Sequence, residues 1–261
     1  MAAQMTSRER MLAALGGKTP DYVPCSFMIF SGLGHRSKGS VEFIEKQVAL
    51  GLDTVAWLPF DDGAGRAKSE NGDLAGFPIR FGAGVKIKEW CEQRPGERYP
   101  LLHREYTTPA GSLHTAVHKT ADWVQGERVP LFDDFIIPRA KKRLISGPED
   151  LPALRHLLTL PTQEDIAAYR ERAASVKQAA AKHHLLVSAS WGVLFDCACW
   201  LAGMEELCVM AYENPAFFKE LLGVIGQWNR KRMEFMLDGG GVDLFVRRGW
   251  YEIADFLQPA V

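Results

Sequence analysis

The chain has 261 residues, a formal net charge of -1 at pH 7 and 47% hydrophobic residues. This length is enough to bury one large α/β core, and the nearly balanced charge excludes the strongly basic surface typical of nucleic-acid binding. The five cysteines are an odd number, and we find neither a secretory leader nor an apolar run of about 18 residues, so we expect a cytoplasmic protein with reduced thiols and no membrane partner.

The first part of the chain alternates helix and strand. Thr6-Ser7-Arg8-Glu9 has capping-box spacing and predicts a helix that Gly16-Gly17 ends. Apolar runs predict strands at 25–30 and 52–58, with an amphipathic helix at 40–50 between them. Strands joined through a helix predict parallel pairing with a right-handed crossover.

Residues 72–130 break this alternation. Glycines and prolines separate short alternating runs there, and Thr108-Pro109-Ala110-Gly111 lies between two of them as a hairpin turn would. We therefore predict an antiparallel β excursion inserted after the second strand.

Helical periodicity returns after the excursion, at 148–158, 163–182, 203–212 and 215–238. Thr162 is the expected cap of the second of these helices, and Asn214-Pro215 begins the last one. A third parallel strand is predicted at 185–190, and a fourth follows Gly241.

Polar and aromatic residues follow the second, third and fourth predicted strands. In an α/β barrel the carboxyl ends of the strands carry the catalytic groups, so these residues form the candidate site. They are Asp61, Asp62, Trp191, Arg247, Trp250, Tyr251 and Glu252.

Each chemical role has a structural alternative. Trp191 and Trp250 would stack on a flat ligand, or Trp191 would simply pack in the core. Arg247 would bind a carboxylate or phosphate, and Glu252 would transfer a proton, or both would belong to a structural salt-bridge cluster.

Other motifs near these strands are weaker. The Asp61-Asp62 pair would bind a cation or pyrrole-type nitrogens, or would be two solvated loop acids. Gly63-Ala64-Gly65 lacks the third glycine of a dinucleotide motif. His114 and His118 lie about 13 Å apart in a strand, too far for a zinc pair, and Cys197-Ala198-Cys199 has no second cysteine cluster to complete a metal site.

Several segments together resemble the uroporphyrinogen decarboxylase superfamily. Ser7-Arg8-Glu9-Arg10 followed by Asp21-Tyr22-Val23-Pro24 is similar to its amino-terminal pattern. Gly51-Leu52-Asp53, the stretch from Trp191 to Gly203, and Gly241-Val242-Asp243 through Trp250 match it in order and spacing, so the resemblance covers essentially the whole chain.

The resemblance implies a (β/α)8 TIM barrel and one of two chemistries. Uroporphyrinogen decarboxylases remove carboxyl groups from the acetate side chains of a tetrapyrrole without a cofactor. Zinc-dependent relatives transfer a methyl group from a methylated corrinoid protein to a thiol such as coenzyme M.

This sequence departs from both patterns. The arginines with which decarboxylases hold substrate after the first strand are missing from Met28-Ile29-Phe30-Ser31-Gly32-Leu33, and His35 and Arg36 are the nearby residues that would bind substrate instead. The decarboxylase tyrosine falls on Cys199, and Asp-Ser-Trp becomes Arg248-Gly249-Trp250. The His-x-Cys zinc pair of the methyltransferases is absent as well, so we expect no metal or cofactor within this chain and zinc only in a longer version.

Four parallel strands predict that the chain is the first half of a barrel, one domain over 1–261 that is truncated at its carboxyl end. We expect the complete enzyme to transfer a methyl group from a methylated corrinoid protein to a thiol. The alternatives are decarboxylation of uroporphyrinogen or another tetrapyrrole in porphyrin biosynthesis, and a non-catalytic binding fragment. The unpaired edge of the fourth strand would aggregate or pair with another chain, so we also expect either poor solubility or a homodimer.

Overall fold

The computed structural model describes residues 4–27, 30–58, 73–74, 77–249 and 251–252, and these form a mixed α/β fold with a parallel and an antiparallel sheet. The helices are α1 (Ser7–Leu15), α2 (Ser31–Gly34), α3 (Ser40–Ala49), α4 (Leu151–Leu157), α5 (Gln163–His183), α6 (Phe195–Ala202), α7 (Met204–Glu213) and α8 (Pro215–Leu237), with a 3-10 turn at Pro148–Asp150. The strands are β1 (Val55–Trp57), β2 (Asp73–Leu74), β3 (Phe77–Pro78), β4 (Lys86–Glu92), β5 (Leu101–Thr108), β6 (Gly111–His118), β7 (Ala140–Lys142), β8 (Leu186–Val193) and β9 (Leu244–Arg248).

The parallel sheet has the order β1-β8-β9. Val55 pairs with Leu186, and Ser188 pairs with Leu244, so the predicted second, third and fourth strands are neighbours in chain order. Ala56 and Ala189 are fully buried in this sheet, as expected for strands with helices packed against them. The predicted parallel pairing of these three strands is confirmed.

The predicted first strand at 25–30 is wrong for residues 25–27 and 30, which form no strand; residues 28–29 lie outside the described part. The segment does lie beside the start of β1, because the Asp53 N–H donates to the Cys25 carbonyl at 2.7 Å. The Asp53 carboxylate accepts in turn from the Cys25 N–H at 3.0 Å. The Asp53 side chain thus accepts from the Cys25 N–H, which in a β-strand would donate to a neighbouring strand.

Helix α1 covers the amino ends of the parallel strands. Its capping box forms as predicted, with the Glu9 N–H donating to Thr6 Oγ1 at 3.2 Å. Arg10 is 3% exposed and pairs with Asp53 before β1, while Arg8 pairs with Asp243 before β9. The two arginines of α1 therefore bind the aspartates that precede β1 and β9.

The predicted antiparallel excursion is confirmed as the sheet β4-β5-β6-β7 together with the β2–β3 pair. Thr108 pairs with Gly111 at the predicted hairpin turn, and Thr108 Oγ1 accepts from the Ala110 N–H at 3.1 Å. The excursion runs beyond residue 130, since β7 at Ala140–Lys142 adds a fourth strand. β7 has only three residues and no alternating apolar pattern, so the sequence did not predict it.

Helices fill the space around the two larger sheets. One apolar cluster joins α3 and α5 to the parallel sheet through Ile44, Tyr169 and Val187. A second joins α4, α6, α7 and α8 to the antiparallel sheet through residues such as Leu154 and Leu221. The strands of the described residues form open sheets and no closed barrel.

The helical predictions after residue 148 are confirmed, and α6 is an addition to them. Thr162 caps α5 in a capping box with Asp165, and Asn214 caps α8 by accepting from the Phe217 N–H at 3.2 Å. No helix within the described ranges has a stretch both long and apolar enough to cross a bilayer.

Candidate functional site

The carboxyl ends of β8 and β9 meet at an irregular point of the parallel sheet. Ser190 pairs with Val246 and Val193 with Arg248, so Trp191 and Gly192 both lie opposite Arg247 in a β-bulge. A bulge bends a strand and redirects its side chains, and bulges occur often beside active sites. The sequence predicted that Trp191 follows the third strand, whereas in the structure it lies within β8.

Glu252 holds the turn after β9 against the start of α6. Its Oε1 accepts from the Phe195 N–H at 3.1 Å, and its carboxylate forms an ion pair with Arg247. Phe195 is the first residue of α6, where backbone N–H groups lack partners within the helix and favour a negative charge. The Glu252 side chain is 20% exposed and that of Arg247 is 40% exposed, so this ion pair lies at the surface.

Tyr251 connects the same turn to two further acids. Its N–H donates to Asp196 Oδ1 at 3.2 Å, and its hydroxyl donates to Asp134 Oδ1 at 3.3 Å. Asp134 also accepts from Trp200 Nε1 at 2.9 Å. We call Asp134, Asp196, Trp200, Arg247, Tyr251 and Glu252 the strand-end cluster.

The sequence placed Arg247, Tyr251 and Glu252 in one site, and the structure brings these three together. It missed Asp134, Asp196 and Trp200 as members. Asp134 lies between β6 and β7, 117 residues before Tyr251, so only the docking of the antiparallel sheet reveals it. A weak signal was present in the Asp133-Asp134 pair between apolar residues.

The strand-end cluster is acidic, because it contains three carboxylates and one guanidinium. Asp196 is fully buried at the start of α6. Burial, together with the negative charge of Asp196, raises the pKa of the nearby Cys199 thiol to about 12. Cys199 is therefore a neutral, inert thiol at pH 7.

The Cys199 thiol is protonated and so is not prepared to bind a zinc ion. A cysteine must lose its proton to bind zinc, and the environment of Cys199 opposes that loss. Within the part of the chain that the structure describes, no group of three or more His, Cys, Asp or Glu side chains is placed to hold a metal ion.

Asp61, Asp62 and Trp250 lie outside the described residues, so their roles stay predictions. His35 and Arg36 follow α2 and are exposed, and Arg36 Nε donates to the Gly32 carbonyl of its own loop at 2.8 Å.

Comparisons of the chain with protein-family models, with curated proteins and with solved structures find no match.

Proposed function

We propose that this chain forms part of an α/β-barrel enzyme of the uroporphyrinogen decarboxylase type, with its active site at the carboxyl edge of β1, β8 and β9. The observation that carries this proposal is the strand-end cluster, because polar groups at the carboxyl ends of parallel strands are where such folds place their chemistry. At the opposite edge of the sheet, α1 covers the amino ends of the strands through its ion pairs with Asp53 and Asp243. This also supports the proposal, since the amino ends of barrel strands serve stability and the carboxyl ends serve chemistry.

The reaction that we propose is transfer of a methyl group from a methylated corrinoid protein to a small thiol. The charge of the site favours this over tetrapyrrole decarboxylation. A substrate with many carboxylates needs free guanidinium groups, whereas Arg247 is engaged by Glu252 within an acidic cluster. A corrinoid ring presents no such demand.

In the proposed reaction the thiol sulfur attacks the methyl carbon and forms a C–S bond, while the cobalt–carbon bond breaks and leaves its electron pair on cobalt. The Asp61-Asp62 pair after β1 would accept the thiol proton, because Asp196 and Glu252 are already engaged by backbone N–H groups. Trp191 at the bulge and Trp250 after β9 would stack on the ligand. No step of this proposal passes through zinc.

The test is to incubate the purified protein with methylcobalamin and 2-mercaptoethanesulfonate, and to follow the loss of methylcobalamin absorbance together with the methyl thioether product. We expect turnover that falls about 100-fold in the double variant Asp61→Asn, Asp62→Asn, the size typical of losing general-base catalysis. The control is Glu213→Gln, which changes an exposed acid in α7 and should retain full activity.

A parallel incubation with uroporphyrinogen separates the alternatives. Coproporphyrinogen and carbon dioxide as products, without methyl transfer, would replace our proposal with decarboxylation. Tight binding of cobalamin or a porphyrin without turnover of either would indicate a non-catalytic binding protein.

A further inference from the structure

One hydrogen-bonded chain of side chains crosses all four strands of the antiparallel sheet. Lys142 Nζ on β7 lies 3.1 Å from His114 Nδ1 on β6, and His114 Nε2 lies 3.0 Å from His103 Nδ1 on β5. His103 Nε2 lies 3.0 Å from Glu92 Oε2 on β4. Each strand thus contributes one member, and β4 and β7 are the two edges of the sheet.

The two ends of this chain fix the position of every hydrogen in it. A lysine ammonium can only donate and a carboxylate can only accept. His114 Nδ1 therefore accepts from Lys142, so the hydrogen of His114 lies on Nε2 and is donated to His103 Nδ1. The hydrogen of His103 lies on Nε2 in turn and is donated to Glu92. Both rings are neutral and both are Nε2–H tautomers.

Trp90 covers the two rings on the side of β4. Its ring stacks on His103 with centroids 4.7 Å apart and an interplanar angle of 1°, and on His114 at 5.2 Å and 24°. His103 is 5% exposed as a result. Such cover shields the hydrogen-bonded chain from water on that side of the sheet.

We propose that Lys142, His114, His103 and Glu92 form a pH-sensitive latch that holds β4 on the sheet while both histidines are neutral and releases it on acidification. A second hydrogen on His114 Nδ1 would face the Lys142 ammonium, so two donors and two positive charges would oppose each other. A second hydrogen on His103 Nδ1 would face the Nε2–H of His114. Either protonation removes one acceptor from the chain.

The groups around His114 shift its pKa in opposite directions. Burial lowers the pKa of His114, Lys142 and His103 lower it further, and Glu105, its cross-strand neighbour, raises it. On β4, Lys88 lies 5.1 Å from the Trp90 ring, and Glu92 is shared between His103 and Arg94. Helix α4 and the 3-10 turn also pack against β6, where Leu113 lies with Leu151 and Leu154 in the apolar core.

The sign of the pH effect follows from this lowered pKa. The unfolded chain protonates His114 near its ordinary pKa of about 6.5, before the folded chain does. The contribution of the latch to stability is therefore complete above about pH 6.5 and is lost as the pH falls toward the folded pKa. Each pKa unit of lowering changes the folding equilibrium constant about tenfold.

The test begins with nitrogen-15 NMR of the histidine rings at pH 7.5, where we expect Nε2–H tautomers for both His103 and His114. Urea unfolding at pH 7.5 and 5.5 then compares the wild type with His114→Gln, whose amide keeps a donor near the Nε2 position but cannot titrate. We expect the folding equilibrium constant of the wild type to fall further than that of the variant, with about tenfold as the limit that an ordinary pKa of about 6.5 sets over this pH interval. His35→Gln, at an exposed loop histidine, should behave as the wild type does.

Amide hydrogen exchange shows whether the edge strand itself is released. Corrected for intrinsic rates, exchange across Lys86–Glu92 should increase at pH 5.5 in the wild type and remain slow in His114→Gln. An Nδ1–H tautomer in either ring, or an unchanged pH dependence in His114→Gln, would overturn the proposal. If the variant does not fold, the proposal is tested on the wild type alone, by its histidine tautomers and by the pH dependence of amide hydrogen exchange in β4.

Discussion

Asp243 joins three elements at the amino end of β9. Its carboxylate accepts from Arg8 Nε of α1 and from the Val187 N–H of β8, each at 3.0 Å. Its own N–H donates to the Val187 carbonyl at 2.9 Å. The hydrogen bond from Arg8 lowers the pKa of Asp243, so the carboxylate stays ionised at neutral pH.

Replacing Asp243 by Asn should destabilise the protein by about 1–2 kcal/mol, because the charged acceptor of three hydrogen bonds, two from Arg8 and one from the Val187 N–H, is lost while half-exposed Arg8 remains solvated. Urea unfolding at pH 7 measures the loss. The control is Asp238→Asn, whose ion pair with Arg170 is exposed to solvent and should change stability by about 0.5 kcal/mol or less. Equal losses in the two variants would contradict the role given to Asp243.

The sequence grouped Arg247, Tyr251 and Glu252 because they lie within six residues at the end of one strand, and the structure places them in one cluster. It could not add Trp200 and Asp134, which are 66 residues apart and meet only when α6 packs against the connection between β6 and β7. The partner of His114 was missed for the same reason. Its neighbour on the strand, His118, was considered, whereas the contact is made across the ladder to His103.

The helix ends are where the sequence was most reliable. The capping box at Thr162 forms, with Thr162 Oγ1 accepting from the Asp165 N–H at 3.1 Å and Asp165 Oδ2 accepting from the Thr162 N–H at 2.9 Å. Asp165 has a second role that no local pattern indicates, because both of its oxygens accept from Arg80 at 2.6 Å. One cap thus connects α5 to the chain that follows β3.

Replacing Thr162 by Ala should cost about 1 kcal/mol, since the Asp165 N–H at the start of α5 loses its acceptor. Thr162→Ser keeps the hydroxyl and should lie close to the wild type. Thermal and urea unfolding of both variants measure the difference. A serine variant as unstable as the alanine variant would show that the methyl group, and not the cap, is responsible.

Strands were harder to predict than helices at the level of the element. Residues 25–27 have the apolar character of a strand, yet the Asp53 side chain takes the Cys25 N–H that a ladder would have used. β8 extends to Val193 through a bulge, past the predicted end at residue 190. In both cases the neighbouring chain, and not the local sequence, sets where pairing ends.

At the scale of the whole molecule, the parallel sheet has an open edge at β9 within the described residues. Among the described residues, β9 pairs on one side only, with β8. An unpaired parallel strand offers its backbone groups to another strand. This arrangement agrees with the homodimer expected from the sequence, which stays a prediction.

Sedimentation equilibrium should therefore detect dimers at micromolar concentration. Leu244→Lys places a charge on β9 and should shift the protein toward monomer, as lysine does on natural edge strands. Val209→Lys, at a position of α7 that is 48% exposed, is the matched control and should leave the association unchanged. A wild type that stays monomeric at high concentration would show that this edge is not a site of association.

The sequence by itself determined the elements that depend on near neighbours: the capped helices and the hairpin at Thr108–Gly111. Their signals are caps, turns and periodic burial, all of which act over a few residues. Only the tertiary structure decided that α1 holds Asp53 and Asp243, that Asp134 joins Tyr251, and that four strands share one histidine-centred chain. These contacts depend on the register and docking of distant segments, which no local pattern encodes.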